Sequence, residues 1–160
     1  MMRLLVAAFG FLVGVLLPTA AHAQQAMPSC PYINTETTSG ALGLPATLAL
    51  REQSEAGDLC NFTAGRGKAE RRLYVVVRPM QELEADYKKA RSHCAGEVTP
   101  VNALGNDAWS CTPRGVSAAG AIFGRVRDTF FWVQMSGIAE SAVLSDKLSL
   151  AAEQVANNLY

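Results

Sequence analysis

Histidine is nearly absent from this chain: two in 160 residues, His22 and His93. His22 falls inside an export signal, so the mature chain keeps His93 alone, which removes most histidine-based chemistry. His93 is followed by Cys94, but neighbours on a helix point about 100° apart and do not form a thiol–base pair. Cysteine is scarce too, with four residues and no Cys-x-x-Cys motif, so neither redox exchange nor a structural zinc finds its spacing. No bulk charge is left over: fourteen basic residues face fourteen acidic ones, which gives no general attraction to nucleic acid or an anionic membrane. Beyond the N-terminus no apolar run is long enough to span a bilayer. A phosphate loop is missing as well. Gly65-Arg-Gly-Lys68 would need Gly in place of Phe62 and Ser or Thr in place of Ala69.

What is present begins with a secretory pattern. Arg3 gives a positive start, Leu4 to Leu17 is apolar, and Ala21-His-Ala23 is a small-residue cleavage signal. Residues 1–23 therefore read as a cleavable signal peptide and 24–29 as a flexible leader. Residues 30–160 read as a single disulfide-stapled domain in a periplasmic or secreted protein. Without Arg3, thirteen basic residues stand against fourteen acidic ones. Cys30, Cys60, Cys94 and Cys111 form an even set, which in an exported chain implies two disulfides with three possible connectivities. Ser29-Cys30 also invites lipidation of Cys30. However, Cys30 lies well beyond the apolar run and follows Pro28, which favours the disulfide.

The chain is organised around Arg71 to Cys94. Arg72 to Arg78 is rich in β-branched and aromatic residues and reads as a strand. Alternation puts Leu73, Val75 and Val77 on one face, and Arg72, Tyr74, Val76 and Arg78 on the other. After Pro79, the spacing of Met80, Leu83, Tyr87, Ala90 and Cys94 predicts a helix with one buried stripe. Before this stretch, Asn34 or Thr35 caps a short helix ending near Gly43, and strands are expected over Leu44–Glu52 and Leu59–Thr63. After it come a strand at Ala108–Thr112, a hairpin of Ser117–Val126 with Thr129–Met135, and a helix over Ala142–Tyr160. Apolar groups on both sides of the last strand make it central and covered on both faces.

The expected fold is thus α+β. It has two consecutive helix–three-strand units plus a C-terminal helix, with a largely antiparallel sheet and helices packed on it. Each half holds two cysteines, so Cys30–Cys60 and Cys94–Cys111 is the economical pairing.

Cys30, Leu42-Gly43, Gly57-Asp-Leu-Cys60-Asn-Phe62 and Leu104-Gly-Asn-Asp-Ala-Trp109 span nearly the whole mature chain. This framework resembles a domain-of-unknown-function family of small secreted or lipoprotein domains common in actinobacterial cell envelopes. The resemblance implies a PsbP-like α/β sandwich, with no established catalysis or cofactor. The chain departs from it in its second cysteine pair and its poor lipidation site.

One constellation suggests a site. Arg72, Tyr74 and Arg78 point the same way, with Arg66, Lys68 and Arg71 just before them. Such a face can hold an anion or an acidic partner, with Trp109 and Trp132 as stacking residues. The same residues also fit an outer sheet face whose arginine stems cover apolar surface, and the tryptophans fit a core. Glu82, Glu84 and Asp86 share their helix with Lys88, Lys89 and Arg91 and read as a wet, ion-paired face. No catalytic set, cofactor site or metal site is expected. The expected function is a non-catalytic binding domain for a cell-envelope protein or a small anionic or apolar ligand. The alternatives are a small periplasmic hydrolase using fold-assembled carboxylates, and an inhibitor or accessory subunit of an envelope enzyme.

Overall fold

The computed structural model describes residues 29–160. The expected signal peptide and most of the expected leader lie outside the described residues. The chain starts with α1 (Thr35–Leu42), where Asn34 Oδ1 accepts the N–H of Thr37 at 2.7 Å and Gly43 closes the helix at φ 69°. Three strands follow: β1 (Ala46–Ser54), β2 (Gly57–Ala64) and β3 (Arg71–Pro79). Then come α2 (Leu83–Ser92), the strands β4 (Cys94–Pro100), β5 (Asp107–Pro113), β6 (Ala119–Val126) and β7 (Thr129–Ser136), and α3 (Ser141–Asn157). All seven strands form one antiparallel sheet in the order β1-β2-β3-β7-β6-β5-β4. The two halves of the chain meet where β3 pairs with β7.

Strand alternation divides the core in two. Leu73, Val75 and Val77 of β3 join Phe131, Val133 and Met135 of β7 under α1 and α3. On the other face, Ala121 and Phe123 of β6 join Phe130 and Trp132 of β7 under α2, which supplies Tyr87 and Ala90. The larger cluster is on the first side, and β7 carries apolar groups in both directions because it is covered on both faces. Cys30 is bonded to Cys60 and Cys94 to Cys111, and no described cysteine is free.

The structure departs from the expected elements in two places. The second half holds four strands, because Cys94–Pro100 is β4 and not the end of a helix and a loop. β4 is an edge strand whose register against β5 shifts between Ala95 and Thr99, so it carries no alternating apolar pattern. The other edge, β1, is also irregular, between Leu48 and Leu50. Secondly, α2 starts at Leu83 and stops at Ser92. Met80 is still tied to the sheet through its N–H, which donates to the carbonyl of Asp128 at 2.8 Å. Leu83 is consequently exposed, and the buried face of α2 is Asp86, Tyr87 and Ala90.

The residues behind the family resemblance act as braces. Gly57 lies so close to β3 that a Cβ would meet the backbone of Val77 and Arg78. Asp107 pairs with Arg125 at 2.8 Å, and Asn106 Oδ1 accepts the N–H of Arg127 at 2.6 Å. Gly105, at φ 63°, leaves no space for a side chain against the carbonyl of Arg125.

Candidate functional site

The face that α2 covers is paved with aromatic rings. Trp109 of β5 is opposite Phe123 of β6, and Phe123 is opposite Trp132 of β7. The Trp109 and Phe123 rings stack at 5.9 Å, and those of Phe123 and Trp132 at 5.6 Å. Tyr87 comes down from α2 and meets Trp109 edge-on at 4.6 Å. Because α2 is a single ten-residue helix, it leaves a groove of about 500 Å³ along one flank. The floor of that groove is Tyr74 and Val76 of β3 with Phe130, Trp132 and Gln134 of β7. Lys89, Ala90, Ser92 and His93 form the helix wall, and Pro113 and Arg114 close the end.

The expected site residues divide between this groove and other places. Tyr74 and Trp132 are in it. Tyr74 has its hydroxyl pKa raised, by burial and then by the charge of Glu52. Arg78 is also in the groove, but it is already committed. Its Nη1 lies 2.7 Å from Asp86 Oδ1, and its guanidinium sits 4.5 Å above the Phe130 ring. Arg72 lies outside the groove and pairs with Glu70 on the surface. Arg71 donates to the carbonyl of Leu42 at the end of α1, and so also serves the other face of the sheet. Trp109 is on the far flank of α2, where Arg91 lies 5.5 Å from its ring centre.

The acidic face of the helix is only partly wet. Glu82 and Glu84 are exposed, but Asp86 is 7% exposed. Burial alone would raise its pKa. Hydrogen bonds from Arg78 and from the N–H groups of Gln81 and Glu82, with the charge of Arg78, outweigh that and hold the carboxyl below its usual range. Asp86 is thus an ionised anchor for Arg78 between β3 and α2.

Lys89, His93 and Arg114 were missed as site residues. Lys89 and His93 are one helical turn apart, and the His93 ring stands edge-on to Trp132 at 6.1 Å. Arg114 is held beside them, since its N–H donates to the carbonyl of His93 at 2.8 Å and its Nε–H to that of Cys94 at 2.6 Å. Only the i,i+4 spacing of Lys89 and His93 was readable beforehand; Arg114 arrives through the pairing of β4 with β5, where Cys94 lies opposite Pro113. Among the described residues no three His, Cys, Asp or Glu side chains gather to hold a metal ion. No described helix is long and apolar enough to cross a membrane. The two disulfides fit an oxidising, extracellular environment. Comparison with protein-family models, with curated proteins and with solved structures finds no match for this chain.

Proposed function

We propose that the protein is an exported, non-catalytic binding domain, periplasmic or secreted, whose ligand seat is the groove between α2 and the aromatic face of the sheet. A further part of the proposal is membership in the cell-envelope family that its cysteine and Leu-Gly motifs resemble. The observation that carries the reading is the groove itself: about 500 Å³, floored by Tyr74, Phe130 and Trp132. That volume lies within the range of about 300–1,000 Å³ common for small-molecule sites. The carboxylate chemistry of the hydrolase alternative has less support. No Asp or Glu lines the groove, and Asp86 is ionised and occupied by Arg78. The inhibitor or accessory-subunit alternative calls for an exposed loop projecting apolar or basic residues. The loop between β2 and β3 exposes Arg66 and Lys68, but with no large apolar side chain beside them. Here the exposed large apolar residues are Leu50, Leu83, Val116, Leu150 and Tyr160, which sit on separate elements.

The test is a fluorescence titration of the oxidised protein with the neutral probe N-phenyl-1-naphthylamine. One-to-one binding is expected, with loss of affinity in Ser92→Trp, which places bulk in the groove from an exposed position. Absence of saturable binding of both this probe and its sulfonated counterpart, or binding indifferent to Ser92→Trp, defeats the proposal.

A further inference from the structure

The walls of the groove are charged in one sense. Of the charged side chains, Arg78, Lys89 and Arg114 line it, and no Asp or Glu does. Arg78 is compensated by Asp86 at 2.7 Å. Lys89 and Arg114 take part in no ion pair among the described residues. Two uncompensated cations thus flank one end of an aromatic floor.

The C-terminus of α2 lies at the same end, and its dipole by itself disfavours an anion. Here the carbonyls concerned are already occupied. Ser92 Oγ donates to the carbonyl of Lys89 at 2.7 Å, the His93 N–H to that of Ala90 at 3.0 Å, and the Arg114 N–H to that of His93 at 2.8 Å. The fixed charges of Lys89 and Arg114 therefore dominate the local field. A cationic ligand, which the rings alone would welcome, is repelled by them.

We infer that the groove takes a planar aromatic anion, with its ring against Tyr74 and Trp132 and its anionic group between Lys89 and Arg114. This rests on the reading of the groove as the ligand seat. It moves the anion-holding role from Arg72 and Arg78, where the strand pattern puts it, to residues of α2 and the end of β5. Arginine supplies directed N–H donors and lysine a mobile point charge, a combination suited to carboxylate, sulfonate or phosphate groups.

The experiment compares two probes with one ring frame: 1-anilinonaphthalene-8-sulfonate and N-phenyl-1-naphthylamine, which lacks the sulfonate. The oxidised protein is expected to bind the sulfonate at least about tenfold more tightly, with affinity that falls as salt is added. Lys89→Gln/Arg114→Gln should lower sulfonate affinity about tenfold or more and change that of the neutral probe less than about twofold. Arg114→Lys, which keeps the charge, should retain most of the sulfonate affinity. Near-UV circular dichroism checks that each variant keeps its aromatic packing. Equal affinity for the two probes, or a double variant that binds the sulfonate as before, overturns the anion assignment and leaves the groove reading standing. Failure of both probes to bind, or their indifference to Ser92→Trp, overturns the groove reading itself.

Discussion

Arg78 and Asp86 join the central sheet to the helix above it, Nη1 to Oδ1 at 2.7 Å, with little solvent around either group. The pair fixes the height of α2 at its N-terminal end, while the Cys94–Cys111 bridge anchors β4 just beyond its C-terminus. Between these two anchors the helix is held over the rings by Tyr87 and Ala90.

Removing one partner of that pair leaves the other charge poorly solvated. Asp86→Ala is expected to destabilise the fold by about 2–3 kcal/mol, at the lower side of buried pairs because Arg78 keeps some exposure. Urea unfolding at neutral pH measures it.

The same carboxylate gives a pH signature. Its folded pKa is below the unfolded value, so its contribution is complete above the ordinary carboxylate range near pH 4 and is lost as pH falls through the folded pKa. The wild type should lose stability over that acid window, and Asp86→Asn should show a flatter profile there. Equal slopes for the two proteins would exclude the pair as the source.

Tyrosine gives the opposite, alkaline, signature. Burial and then the hydrogen bond to Asp58 push the Tyr32 hydroxyl up to about 12, and burial and then the charge of Asp107 do so for Tyr87. Both are raised above an unfolded value near 10, so their contribution is present below pH 10 and fades as pH rises towards 12. Ultraviolet titration should show Tyr32 and Tyr87 ionising late, with Tyr74 also above the ordinary range. Tyr87 Oη is buried and makes no well-formed hydrogen bond, although the Arg125 guanidinium acts on it, so Tyr87→Phe should change stability by no more than about 1 kcal/mol.

Each disulfide closes a loop, spanning 30 and 17 residues in sequence. Replacing either pair by serine should cost about 3 kcal/mol, seen as a lower Tm. Only the Cys94/Cys111 variant should also weaken probe binding, since that bridge ties together the strands from which the Arg114 wall is built. Equal loss of binding in both variants would speak against that division.

Gly124 tests the packing of β5 on β6. A Cβ there would run into the carbonyl of Asp107 and the backbone of Ala108. Gly124→Ala should destabilise by about 2–3 kcal/mol, by strain and not by lost contact. Denaturation that leaves the midpoint unmoved would contradict it.

The sequence is most informative where the period of the chain is imposed by burial on both sides. The two faces of β3, the central place of β7 and the stripe of α3 could be read from Leu73 to Arg78, Phe130 to Met135 and Leu144 to Val155 because core contacts select those residues. β4 escaped because an edge strand with a register shift and Gly96 at φ 90° has no such period. Asp86 looked wet because its partner is on another element, and a carboxylate pattern contains no information about that. Tyr74 and Trp132 of the groove were legible as aromatic residues on strands. Arg72 and Trp109 were equally legible and lie elsewhere, since a strand face extends further than the cover of one short helix.

Both rims of the sheet are interrupted, β1 near Leu48 and β4 between Ala95 and Thr99. An unbroken rim would offer a template on which a second molecule could add its own strand and start a fibre. The kinked borders shorten that template at either side and so disfavour polymerisation edge to edge.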